Sequence, residues 1–255
     1  MQRNINSLAG FTIGATDGEI GKVEEFYFDD KTWTVRYMIV KTGGWLTGRK
    51  VLIAPEALLQ PDWANKILPV KLTRSQIENS PDIDTDKTIS RQHENALFAY
   101  YPWQNYYDIG MFGESVGMMG AFPLPPVVDA AIPGAGQDSS AKKQEPDPHL
   151  RSTHDMKGYS IHANDGEIGE VTDFIFDEEK WNISFLVVDT GTLLHGKKVL
   201  LSPAWIKEIQ WNVKEVIVNV SINDVMNSPE YDPSNPLDSG YTQGLHDHYG
   251  FRSRK

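Results

Sequence analysis

The feature that most constrains this chain is a phrase stated twice. Residues 14–30 read GATDGEIGKVEEFYFDD, and residues 162–178 read HANDGEIGEVTDFIFDE. A constant shift of 148 positions carries one onto the other, without a gap, from Gly10/Gly158 through Trp33/Trp181, Pro55/Pro203 and Trp63/Trp211 to Asn79-Ser80-Pro81/Asn227-Ser228-Pro229. The register persists to Leu97/Leu245 and Tyr101/Tyr249, and about a third of the columns between residues 10–103 and 158–251 are identical. Two units of this length are one domain duplicated. A solenoid would need several units of roughly 20–50 residues.

Within each copy the signals are those of short, bent strands. Asp17-Gly18 and Asp165-Gly166 sit between β-prone flanks. A tight primed hairpin turn there needs positive φ, which Gly supplies cheaply. Gly21 and Gly169 fall inside a strand pattern, where Gly marks a bulge or a bend. Phe26/Phe28 and Phe174/Phe176 alternate as on a half-buried strand. In the next strand, WTVRYMIVKTG, alternation puts Trp33, Val35, Tyr37 and Ile39 on one face and Thr34, Arg36, Met38 and Val40 on the other. Pro55 and Pro203 then suit the start of a helical turn, which Ser202 can cap. Further strands are expected near 68–72 and 216–220. Thr73 and Gln76 have capping-box spacing for a short helix that Pro81 ends. Five or six such strands, bent at Gly, are expected to close into a small β-barrel, because closure removes exposed edges.

The expected fold is therefore mainly β. Residues 1–107 form a first barrel with an aromatic helical tail. Residues 108–156, with PLPPVV, IPGAGQ and QEPDPH, form a flexible Gly/Pro/Met-rich linker. Residues 157–255 form a second barrel with its own tail. Ser90 and Asp238 are expected to cap the tails. The stripes His93, Leu97, Tyr101 and Tyr241, Leu245, Tyr249 are expected to pack each tail on its own barrel.

Composition closes off several classes. Without Cys there is no disulfide, thiolate metal site or Cys nucleophile. No window approaches the ~20 apolar residues of a membrane helix; the nearest, 111–128, carries Glu114 with several Gly and Pro. The N-terminus has no signal-peptide core, so a soluble, cytoplasmic protein is expected. A net charge of −11 makes nucleic acid a poor partner. The charge is also uneven. Residues 10–103 carry 11 Lys and Arg against 13 Asp and Glu, whereas residues 158–251 carry 5 against 15. Where the first copy has Arg36 and Lys41, the second has Ser184 and Asp189.

The two copies resemble the PRC-barrel domain. The resemblance rests on Asp17-Gly18, Ile20-Gly21-x-Val23, Phe28-Asp29, Trp33, Val40, Thr42-Gly43 and Val51-Leu52-Ile53-x-Pro55. It rests equally on Asp165-Gly166, Ile168-Gly169-x-Val171, Phe176-Asp177, Trp181, Val188, Thr190-Gly191 and Val199-Leu200-Leu201-x-Pro203. That family includes the cytoplasmic part of the photosynthetic reaction-centre H subunit and the C-terminal domain of a ribosome maturation factor. The resemblance implies a non-enzymatic barrel, without cofactor, that binds proteins as a scaffold or adaptor. Its alternative implication is an H-subunit-like component at the cytoplasmic face of a membrane complex, peripheral to the membrane, tuning electron and proton transfer in the photosynthetic light reaction. The sequence shows neither the H subunit's leading membrane helix nor the maturation factor's separate N-terminal domain.

Other constellations are weaker. The acidic turns (Asp17, Glu19, Asp29, Asp30 and Asp165, Glu167, Asp177, Glu178, Glu179) lack the spacing of a calcium loop. GESVG (113–117) matches the nucleophile elbow around Ser115, but it sits in the linker without the strand and helix that the motif needs. His246 and His248, two apart on a helix, point in different directions and are read as part of an exposed tail. His195 has no companion. The residues expected to bind a partner are Arg36, Lys41 and Trp45, where the copies differ, and the aromatic cluster Trp103, Tyr106 and Tyr107, since aromatics dominate binding hot spots.

Overall fold

Each Asp-Gly pair turns a hairpin as its sequence dictates, and the strands follow in the same order in both halves. The computed structural model describes residues 1–43, 48–81, 97, 100–101, 149–191, 196–235 and 237–250. In the first half lie β1 (Gln2–Asn4), β2 (Thr12–Ala15), β3 (Gly18–Asp29), β4 (Val35–Thr42), β5 (Arg49–Ile53) and β6 (Ile67–Pro69). In the second lie β7 (Leu150–Ser152), β8 (Ser160–Ala163), β9 (Gly166–Asp177), β10 (Ile183–Asp189), β11 (Lys198–Leu201), β12 (Ile206–Gln210) and β13 (Glu215–Val218).

The sheet orders are β5-β4-β3-β2-β6 and β11-β10-β9-β8-β13-β12. Neighbours are antiparallel except β2 with β6 and β8 with β13. The expected closure is not reached. Among the described residues no ladder joins β6 to β5 or β12 to β11, so each half is a strongly bent, open sheet. Where the ladder would close, the chain instead makes the 3-10 turns Pro55–Ala57 and Pro203–Trp205. Proline cannot donate to a ladder, and the buried side chains of Ala57, Leu58 and Trp205 fill the corner instead.

The bend has a specific cause. Gly21 lies at φ +70, and a Cβ on Gly21 or Gly169 would overlap the carbonyl oxygen of Lys41 or Asp189 on the neighbouring strand. Register shifts next to these sites, between Val23 and Glu25 and between Val187 and Val188, accommodate the approach.

The halves are not self-contained. β1 leaves its own sheet and pairs with β9 (Gln2↔Asp177, Arg3↔Phe176, Asn4↔Ile175). β7 does the reciprocal, pairing with β3 (Tyr27↔Ser152, Phe28↔Arg151, Asp29↔Leu150). Shifted by 148, the two registers coincide, so the exchange follows a pseudo-twofold axis. On that axis Thr34 bridges Asn182, and the amides of Val35 and Ile183 donate to the carbonyls of Trp181 and Trp33, both at 2.7 Å. The two carbonyls reach across because Trp33 and Trp181 adopt left-handed backbone conformations, φ 58° and 52°. Such conformations cost on the order of 1–2 kcal/mol for a bulky residue. Ring packing offsets the strain: Trp33 stacks on Phe28 at 5.1 Å, and Trp181 packs on Phe176 at 5.2 Å. Phe28 also meets Phe174, and Phe26 meets Trp181, so the two cores are continuous.

Residues 150–156, placed in the linker on composition, are thus a strand and a helical turn (Thr153–Met156) with Thr153 and Met156 buried. Residues 1–88 and 148–255 form one unit and residues 89–147 another. In the latter, Tyr101 donates its amide to Leu97 at 2.8 Å, and both side chains are buried; Tyr100 meets Tyr101 edge-on. His93 and Ser90 lie outside the described residues.

Among the described residues the local signals for helices are realised. Thr73 and Gln76 form the capping box of helix Arg74–Glu78, and Ser221 with Asp224 repeats it in helix Ile222–Asn227. Asp238 caps the second tail, Ser239–His248, by accepting the Tyr241 amide. That tail packs as a stripe: Leu245 is buried and Tyr249 lies 4.3 Å from the Trp205 ring. The HDH segment is not an exposed tail. His246 meets Phe185 and Trp205, and the His248 ring nitrogen lies 2.7 Å from the Asp224 carbonyl.

Candidate functional site

Strand exchange places one arginine of each half across the seam. Arg151, on β7, pairs with Asp30 of the first half at 2.9 Å and lies 4.1 Å over the Trp211 ring of the second. Arg3, on β1, pairs with Glu178 of the second half at 2.6 Å and lies 4.3 Å over Trp63 of the first. His149 adds a 2.9 Å contact to Asp30. Two carboxylates at equivalent positions sit beside the exchanged segments. Burial pushes the Asp173 carboxyl above the usual range, although it accepts from the Phe174 amide and from the Asn6 backbone and side chain. Burial likewise pushes Glu25 up, although the Ser152 hydroxyl donates to it.

Beside Arg151 the seam opens into a groove of about 450 Å³. Its apolar lining is Trp33, Ile206, Ile209 and Trp211; Lys31, Lys207 and Glu208 stand at its rim. One wall is β12, the last strand of its sheet. The equivalent segment of the first half carries Pro61 where β12 has Ile209 and forms isolated bridges in place of a strand.

Away from the seam the halves present opposite charge on the same face. Lys22, Lys41 and Lys50 stand opposite one another across β3, β4 and β5. Lys50 pairs with Glu24 at 3.0 Å. The second half puts Glu170, Asp189 and Lys198 at those positions. There Glu167, Glu170 and Asp189 line a groove of about 590 Å³ around Gly169 and Gly191.

The residues singled out in the sequence fall differently. Lys41 is exposed, within the basic row. Arg36 is no surface residue: it is 5% exposed, 3.7 Å from the Asp29 carboxylate and close to the Tyr37 ring. Alternation misplaces it because both faces of β4 are covered from Val35 to Val40. Trp45, Trp103, Tyr106, Tyr107, Ser115 and His195 lie outside the described residues. Four of the acidic-turn residues serve the backbone. Asp29 and Asp177 each accept two amides of their own turn, while Asp17 and Asp165 accept the first amides of the helices at Arg74 and Ile222. Among the described residues no three His, Asp or Glu are placed to share a metal, and no helix is long and apolar enough to cross a membrane. The sequence reading missed Arg3 and Arg151, and it weighed Asp30 and Glu178 only as acidic-turn residues, not as their partners. Arg3 and Arg151 are themselves 148 apart, so the repeat could have flagged them.

No curated protein sequence matches this chain. The family profile of the PRC-barrel domain matches it twice, over residues 2–74 and 149–223, so the matches take in the exchanged strands β1 and β7. These matches cover more than half of the sequence, and they agree with two bent, Gly-kinked sheets of equivalent order. The chain belongs to the PRC-barrel domain family and carries the domain in tandem.

Proposed function

We propose that this tandem PRC-barrel protein is a non-enzymatic scaffold that holds two protein partners in fixed relative positions. The observation that carries the reading is the reciprocal exchange of β1 and β7. It locks two copies of one fold together while their equivalent faces have diverged to opposite charge: Lys22 and Lys41 on one, Glu170 and Asp189 on the other. A protein that needed only a larger barrel would gain nothing from that divergence. A protein that joins an acidic partner to a basic one would. Charge of this kind steers association and selects partners more than it adds affinity.

The test is affinity purification from native cells with the wild-type chain, with K22E/K41E and with E170K/D189K. Each variant should lose a different subset of co-purifying proteins and keep the other. Loss of no partner by either variant, or of the same partners by both, would contradict the reading.

A further inference from the structure

We propose that β12 is an acceptor edge: the groove beside it takes an extended, acidic segment of a partner protein as an added strand. This rests on the scaffold reading and names the kind of partner at one site. Three observations converge on it.

The first is the edge itself. β12 ends its sheet, bonded on one side to β13 (Ile209↔Val216, Gln210↔Glu215). In an antiparallel pair, successive residues turn their backbone groups alternately toward and away from the neighbour. At the equivalent site in the first half, Asp62 exchanges both backbone bonds with Ile67, at 2.8 and 3.1 Å. The residue before it, Pro61, therefore faces outward, and so does Ile209, with an amide and a carbonyl to offer. An unpaired edge of this kind is a template for another strand.

The second is the contrast between the copies. Proline at the outward position of an edge removes the donor that an incoming strand would use. The first half has that block and the second half does not. The same molecule already adds strands from outside the sheet to the stretches of β9 and β3 that β8 and β2 leave unpaired, β1 on β9 and β7 on β3.

The third is the groove along this edge. It is large enough for a few residues of extended chain, with Trp33, Ile206, Ile209 and Trp211 to take alternate apolar side chains. Arg151 and Asp30 neutralise one another. Lys31 and Lys207 against Glu208 leave an excess of positive charge at the rim, which fits carboxylates on the incoming strand.

The experiment titrates the full chain with a blocked hexapeptide of alternating valine and glutamate. It is read by tryptophan fluorescence and by the amide resonances of β12. Saturable binding at millimolar or lower concentration is expected, with the largest shifts at Lys207–Gln210. I209P places in the second half what the first already tolerates, so it should fold, and it should bind at least tenfold more weakly. K31E/K207E should weaken the glutamate peptide about fivefold or more and favour a valine–lysine peptide. Should I209P fail to fold, a peptide N-methylated at alternate amides makes the same test on the wild-type chain and should not bind. Absence of saturable binding by the glutamate peptide, equal binding by I209P, or equal binding of the N-methylated peptide overturns the proposal. None of these results touches the scaffold reading, which falls only with the native purification described above.

Discussion

Removing Arg151 tests how the two halves are held. In R151A two contacts are lost together: the stack over Trp211 at 4.1 Å and the pair with Asp30 at 2.9 Å. A cation over an indole is worth about 0.5–1 kcal/mol when partly exposed and about 2 kcal/mol when desolvated. Arg151 is about a quarter exposed and Asp30 about a tenth, so each contact is assigned roughly 1 kcal/mol, and the pair is discounted for solvent screening. Truncation should then cost about 2 kcal/mol, against a typical total stability of about 5–15 kcal/mol. Urea unfolding of R151A, D30N and the double variant gives the coupling energy directly; R151A, W211F and their double give the other arm. Each cycle should return roughly 0.5–1.5 kcal/mol. R151K keeps the charge but loses the planar guanidinium, and it should recover less than half of the loss. Coupling below about 0.3 kcal/mol in both cycles would refute the clamp and leave Arg151 a surface residue that happens to lie between two rings.

Other predictions follow from the same geometry. D173N keeps an acceptor for Asn6 and Phe174 and removes a charge that burial disfavours. The folded-state pKa of Asp173 is raised, so the wild type loses stability as pH rises from the unfolded carboxyl range through the folded pKa. The variant should therefore be more stable at pH 7 by about 1 kcal/mol and no more stable near pH 3, as thermal melts across that range would show; a gain that persists undiminished in acid would contradict this. G169A forces a Cβ into the Asp189 carbonyl and should cost about 3 kcal/mol or more, whereas G158A, at φ +77 with open space around it, should cost about 1 kcal/mol. Equal losses in denaturant unfolding would remove the close-approach argument.

What was legible in the sequence was local or repeated. Asp17-Gly18 and Asp165-Gly166 fix their hairpins, Thr73/Gln76 and Asp238 fix their caps, and the shift of 148 fixes the equivalence of the halves. Strand exchange was not legible, because pairing between β1 and β9 is non-local and each exchanged strand is three residues long. β7 follows directly on a Pro-rich run and shares with β1 only its central arginine, so composition absorbs it into the linker. Arg36 was misread for a related reason: alternation marks two faces but does not say which is wet, and β4 is covered on both. His246 and His248 looked like tail residues because nothing in the sequence places Trp205 or Asp224 beside them. The open edge of β12 was written in a difference between the copies, Pro61 against Ile209, rather than in anything they share.

The central claim is that the two PRC-barrel domains, each an open bent sheet, form one interlocked body through β1 and β7. Its most direct measurement uses a chain with a protease site inserted between residues 120 and 121, cleaved to completion and run on size exclusion with light scattering under native conditions. Exchange predicts that the halves co-elute at the mass of the intact chain and separate only when unfolded. Elution as two independent, folded species of half the mass would contradict it.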